Sequence, residues 1–409
     1  MENILDKFLR YVAIDTQSDD RSECQPTTSK QIDLQKVLQT ELQAMGIASE
    51  IDEYGYLMAS IPSNVDKDVP AIGFIAHVDT SPDCSGKDVK PQVIENYDGE
   101  DIVLNTMKNI VLQVDKFPEL KQYKGSTIIT TDGTTLLGAD DKAGIAAIMY
   151  ALDYIIQHPA MPHGDIKIAF TPDEEVGRGA DHFDVEKFGA QYAYTIDGGE
   201  IGELEYENFN AASVKLSIQG QDIHPGYAKG KMINALNIAT EINSLLPHTQ
   251  RPEKTEGYQG FYHLTDMGGT VENATMYYII RDHDKELFEE KKKNMMDIVA
   301  MLNKRYGKDT IKIDIRDSYY NMKQQIEPHM HIVDKAVEAM KRCEVVPKIK
   351  PIRGGTDGAR LSYEGLPCPN IFAGGHKFHS RYEYIPLQSM QKASAVILKI
   401  IELFVEDYK

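Results

Sequence analysis

A chain of 409 residues exceeds what one hydrophobic core ordinarily supports, so two domains are expected. Its 63 acidic against 44 basic residues give a net charge of −19, and without clustered Lys/Arg to meet phosphates a nucleic-acid partner is disfavoured. Hydrophobic content is 42%, yet no apolar run reaches the ~18 to 20 residues of a membrane span.

The four cysteines, Cys24, Cys84, Cys343 and Cys368, are scattered and form no C-x-x-C pair. They point to reduced thiols and a cytoplasmic setting rather than a disulfide frame or thiolate zinc site. Residues 1–10 carry acids among apolar residues, an amphipathic helix start rather than a signal peptide. Ile4, Phe8 and Val12 mark its apolar face. A second helix is predicted from about Ser29 to Met45, stopped by Gly46. Residues 49–61 alternate around Gly55 like a hairpin at a sheet edge.

Ala71–Ala76 is a short continuous apolar run, the pattern of a buried strand, and it delivers His77-Val-Asp79. Residues 81–125 read as an insertion with small strands and no evident chemistry. Leu137-Gly-Ala-Asp-Asp-Lys-Ala-Gly144 then opens a helix through the apolar run Ile145–Ile156. Strands are predicted at Asp165–Thr171, ending in Pro172-Asp-Glu-Glu-Val-Gly177, and at Tyr192–Ile196, ending in Asp197. Strands alternating with helices imply an α/β domain with a mainly parallel sheet, whose ligands gather at the strands' carboxyl ends.

Near residue 210 the pattern changes. A strand at Ala211–Gly220, a helix at Met232–Leu246, strands at 260–267 and 270–282, a helix to Tyr306 and a strand at Thr310–Ser318 follow. That β-α-β-β-α-β order is a ferredoxin-like α+β unit. The predicted organisation is a discontinuous catalytic domain of residues 1–208 and 320–409, with an inserted domain at 209–319. Helices at Ile332–Arg342 and Gln388–Val405 complete the first domain.

Five segments of the first domain end in residue types that bind metals. An Asp-Asp pair before a helix is ordinarily explained by N-capping and the helix dipole, but capping does not explain the other four. His77 would coordinate metal and Asp79 would hold the cluster in register. In Asp173-Glu-Glu175, Glu175 would bind metal while Glu174 faces substrate and moves protons. Asp197 precedes Gly198-Gly199, whose missing side chains would leave room for substrate or metal. Asp140 is the natural bridging ligand. Gly374-Gly-His376-Lys-Phe-His379 offers two histidines between which spacing does not choose. Carboxylates plus one imidazole per ion suit two zinc ions, with cobalt or manganese as substitutes. In the inserted unit, His224 would stabilise an oxyanion, Asn234 would contact substrate where a helix opens, and Arg281 and Arg353 would grip a peptide's carboxylate and backbone.

These segments together resemble the M20-type co-catalytic zinc peptidases. The resemblance runs essentially end to end. It is carried by Gly73-Phe-Ile-Ala-His-Val-Asp-Thr-Ser-Pro-Asp-Cys-Ser-Gly86, Leu137–Gly144, Ala169-Phe-Thr-Pro-Asp-Glu-Glu-Val-Gly177, Glu205–Ala212, Glu256–His263 and Pro351-Ile-Arg-Gly-Gly-Thr-Asp-Gly358. It implies ligands His77, Asp140, Glu175, Asp197 and His379, with Asp140 bridging, Glu174 as proton shuttle and Asp79 as a catalytic acid behind the ligands. His379 matches the ligand position, whereas His376 stands where an aromatic residue is expected. The resemblance further implies a lid that closes on substrate or forms a homodimer. The activity it implies is release of the N-terminal residue from short peptides, preferably tripeptides. A dipeptidase, carboxypeptidase or N-acyl amino-acid amidohydrolase with the same metal ligands is the alternative.

Overall fold

The structure, a computed structural model, describes residues 2–407. They form two compact units: the chain up to Tyr206 with Gln324–Lys350 and the chain from Thr356 onward, and Glu207–Lys323 with Pro351–Gly355. No helix among the described residues is long and apolar enough to cross a membrane.

The first unit is built on an eight-stranded sheet. Its strand order is Ser49–Ile51, Leu57–Ile61, Ile166–Thr171, Ile72–His77, Tyr192–Gly198, Asn370–Phe372, Glu203–Glu205 and Lys348–Ile349. The four strands from Ile166–Thr171 to Asn370–Phe372 are parallel, and antiparallel pairings flank them. Ile72–His77 is buried at every position, as a strand between covered faces must be. Leu57–Ile61, nearer the edge, alternates buried and half-buried. Helix Ala139–Gln157 packs on Ile72–His77 and Tyr192–Gly198, and against helices Ile4–Val12 and Leu387–Glu406. A further apolar cluster joins Ile75 and Ala169 to Phe183, Phe188 and Leu361.

The segment after His77 builds a small core from Tyr97, Leu112, Leu120 and Tyr123, joined by Tyr384 from near the C-terminal end. Strand Ile128–Thr130 pairs on one side with Gln92–Ile94 and on the other with Tyr384–Pro386. That last pairing carries the loop after Phe372 back to the segment that opens helix Ala139–Gln157.

The second unit is a four-stranded antiparallel sheet in the order Phe261–Gly269, Asn273–Asp282, Asn210–Gln219, Ile311–Tyr319. Helices Ala235–Leu245 and Lys285–Tyr306 supply Ile238, Ile242, Phe288 and Leu302 to its core. The mainly parallel α/β sheet and the ferredoxin-like order both agree with the sequence prediction. One detail differs. The two glycines after Asp197 do not open a space for substrate: a Cβ on Gly198 would stand 2.9 Å from the backbone of Ile371 and Phe372, and one on Gly199 would stand 2.9 Å from the Glu203 carboxylate. They allow close packing of neighbouring chain.

Candidate metal centre

His77 and Asp197 lie on the parallel strands Ile72–His77 and Tyr192–Gly198, and Glu175 on the turn just beyond strand Ile166–Thr171. Asp140 comes from the start of helix Ala139–Gln157 and His379 from the loop before Tyr384–Pro386. The five side chains meet in two groups with one shared member. His77, Asp140 and Asp197 form the first, and Asp140, Glu175 and His379 the second; within each, the ligand atoms lie within 4.8 Å of one another. Asp140 turns Oδ1 to His77 Nε2 at 2.9 Å and Oδ2 to His379 Nε2 at 3.2 Å. Asp197 Oδ1 is 3.4 Å from His77 Nε2, and Glu175 Oε2 is 2.7 Å from His379 Nε2.

The Asp-Asp pair divides its labour. Both residues depart from helical φ/ψ, so the regular helix starts after them. Asp141 is fully buried; its Oδ1 accepts from Gly144 N and its Oδ2 from His77 N, both at 3.2 Å. It is thus the residue that caps, which leaves both oxygens of Asp140 to the cluster. Glu383 supports the same stretch from across the unit, accepting from Leu137 N, Gly138 N and Asp140 N at 2.6, 2.8 and 3.0 Å.

The turn bearing Glu174 and Glu175 is held by buried carboxylates on two sides. Asp79 accepts from Glu174 N at 3.0 Å and from Glu175 N at 3.2 Å, while its backbone oxygen and Oδ1 stand 3.0 and 3.2 Å from His77 Nδ1. Asp173, at φ +61°, accepts from Thr27 N, the Thr27 hydroxyl and Gln31 Nε2. Its polar groups therefore face away from the cluster, which leaves the two glutamates as the acids the turn presents.

Electrostatics show what such a cluster demands. Burial raises Glu175 to about 8 and Asp197 to about 6, and neighbouring carboxylates add to the effect. Glu174 is driven well above the usual carboxylate range by burial and then by Asp197. Burial favours neutral imidazoles too, but hydrogen bonds to Asp140 and Glu175 overcome it and raise His379 to about 11. For His77 burial is likewise outweighed, by Asp197 and Asp140, and its pKa rises well above normal. With protons alone to balance the charge, the site gathers them onto both imidazoles. Glu175 Oε1 is buried without a hydrogen-bond partner, an atom that needs a cation or a donor. The residues therefore fit divalent metal.

His376 belongs elsewhere. It shares a 2.7 Å hydrogen bond with the Tyr123 hydroxyl and stacks on Tyr384 with ring centroids 4.7 Å apart. Burial pushes it down to about 4, so it stays neutral and serves as the aromatic its position calls for.

In the second unit, His224 is exposed and its Nδ1 accepts from Gly226 N at 3.1 Å. Asn234 caps helix Ala235–Leu245, its Oδ1 accepting from Leu236 N and Asn237 N. The Arg353 guanidinium donates to the Thr255 hydroxyl and to the backbone oxygens of Thr255, Gly257 and Gln259. It also lies over Phe209 and Phe261. Both residues have structural work that the sequence did not reveal. Arg281 Nη1 donates to Arg353 O at 3.2 Å, and its Nε is buried without a partner.

Residues 128–403 match the family model for Peptidase family M20/M25/M40, and the chain belongs to that family of metal-dependent peptidases. Among curated proteins it is similar to a Peptidase T from Alkaliphilus oremlandii, 61% identical over 407 residues that cover 99% of this chain and 100% of that one. A Peptidase T from Caldanaerobacter subterraneus is 58% identical over 405 residues, 99% of each. Among solved structures, a tripeptidase from Staphylococcus aureus superposes with a TM-score of 0.79 at 24% identity, covering 98% of both chains. That likeness speaks to the fold.

Proposed function

We propose that this chain is an aminopeptidase that releases the N-terminal residue from tripeptides, with two zinc ions at the centre and cobalt or manganese able to replace them. The observation that carries the metal chemistry is Asp140, whose two oxygens each face one histidine. His77, Asp140 and Asp197 would hold one ion, and Asp140, Glu175 and His379 the other. Similarity to the two Peptidase T proteins over nearly the whole chain supports the tripeptide specificity. The four free cysteines support a cytoplasmic setting. We further propose a homodimer, which the family resemblance alone suggests.

When bound, the ions would polarise the scissile carbonyl and make an attacking water more acidic. The protein's own work is proton transfer and orientation. Glu174 lies outside both ligand groups, so its carboxylate is left to take the water's proton and hand it to the leaving amine. Asp79 fixes both Glu174 and His77, and its effect on catalysis runs through them. In the second unit we assign substrate contact to His224, Asn234, Arg281 and Arg353; the cap made by Asn234 engages only its Oδ1, whereas the Arg353 guanidinium already donates to four oxygens.

Product analysis by mass spectrometry tests the specificity. With zinc present, the expected result is loss of the first residue from a free tripeptide, with its N-acetyl form and the matching dipeptide left intact. Cleavage of the acetylated peptide or release of the C-terminal residue would replace this reading with that of an amidohydrolase or carboxypeptidase.

A further inference from the structure

We infer that Asp83 is a positioning residue for His379, fixing the imidazole that completes the second ligand group; the inference rests on the metal reading above. Each cluster histidine presents Nε2 to Asp140. On the far side of each ring stands an aspartate from the segment that follows strand Ile72–His77. His77 Nδ1 meets Asp79, and His379 Nδ1 meets Asp83 Oδ2 at 3.3 Å. A carboxylate that accepts from Nδ1 selects the tautomer whose Nε2 lone pair faces a cation, holds the ring's orientation and makes the ligand more basic.

An exposed aspartate beside a histidine is by itself a weak argument, since surface ion pairs contribute little. The backbone around Asp83 supplies the stronger one. Its side chain is 69% exposed, but the turn that carries it is pinned on both sides. Gln17 Nε2 donates to Ser81 O at 3.1 Å and to Cys84 O at 3.0 Å, straddling Asp83. Ser81 is buried, and its hydroxyl accepts from Asp83 N at 3.3 Å. One residue further on, Ser85 O accepts from Leu136 N at 3.0 Å, next to the Leu137–Asp141 stretch. The carboxylate is thus delivered to His379 by fixed chain. His379 has a corresponding need: it is 41% exposed on its side chain and sits at φ +60°, so little packing holds its ring.

The test is zinc titration against a competing chromophoric chelator, on the full-length wild type, Asp83→Ala, Asp83→Asn and Asp83→Glu. Expected is a loss of about 10-fold in one of the two zinc affinities for Asp83→Ala, with the other unchanged. Asp83→Asn, which keeps the side chain's size, should weaken the same step, and Asp83→Glu should recover part of it. Two affinities within twofold of wild type in Asp83→Ala, or both weakened alike, would overturn the inference. A wild type that binds two zinc ions yet leaves tripeptides intact would sink the activity reading and leave this one standing. A wild type that binds fewer than two would sink both.

Discussion

Glu174 and Glu175 are neighbours in sequence and separate in chemistry. Glu175 points Oε2 at His379, whereas Glu174 belongs to neither ligand group. Glu174→Gln is therefore expected to keep full zinc uptake while kcat falls by about 10²- to 10⁴-fold; uptake of only one ion would make Glu174 a ligand. Glu205 offers a second test, one hydrogen-bonded residue behind Asp197. It accepts from Asn370 Nδ2 at 2.8 Å, and Asn370 Oδ1 in turn accepts from Asp197 N at 3.1 Å. Burial, followed by Glu203, raises Glu205 to about 7. Since the folded state holds this proton more tightly than the unfolded state, its contribution is complete below about pH 4.5 and is lost as pH climbs to about 7. In urea unfolding, Glu205→Gln should gain on wild type by on the order of 2 kcal/mol between pH 5 and pH 8. A difference that does not change with pH would refute this. At this scale the sequence was informative where strands end, at His77, Asp197 and, one turn beyond, Glu175, and at the helix start that carries Asp140; between His376 and His379 spacing alone did not choose. Glu383 was invisible because its partners are backbone atoms up to 246 residues away, and Asn370 because Glu205 and Asp197 lie 165 and 173 residues from it; no local pattern encodes such contacts.

Elements deliver those residues through close packing. Strand Ile72–His77 can lie against helix Val185–Phe188 only because residue 73 is glycine: a Cβ there would come within 2.5 and 2.6 Å of the Phe188 ring and 3.1 Å of Ala193 Cβ. Gly73→Ala should cost about 1–3 kcal/mol, read as a lower denaturant midpoint. An unchanged midpoint would mean that the ring swings aside freely. Most elements were legible from periodicity, since strand Ile166–Thr171 and helix Leu387–Glu406 follow their apolar patterns closely. The start of helix Ala139–Gln157 was only half legible. Sequence marks two acids at a helix start and names Asp140 as the bridging one, but that Asp141 takes the cap instead rests on the backbone departing from helical angles at both.

For the whole molecule, the clearest expectation is metal dependence. Two ligand groups that share Asp140 should be stabilised by cations, and zinc at 100 times its Kd adds about 2.7 kcal/mol per site. Calorimetry should show chelator-stripped protein melting below the zinc-loaded form; equal Tm values would argue against metal at this centre. The two groups also differ in when they can exist at all. His77, Asp140 and Asp197 have all been synthesised by residue 197, but the second group waits for His379, after every residue of the second unit has been made. A nascent chain shorter than 379 residues lacks one imidazole of the pair, so a peptide-cutting centre cannot be assembled before the second unit has emerged.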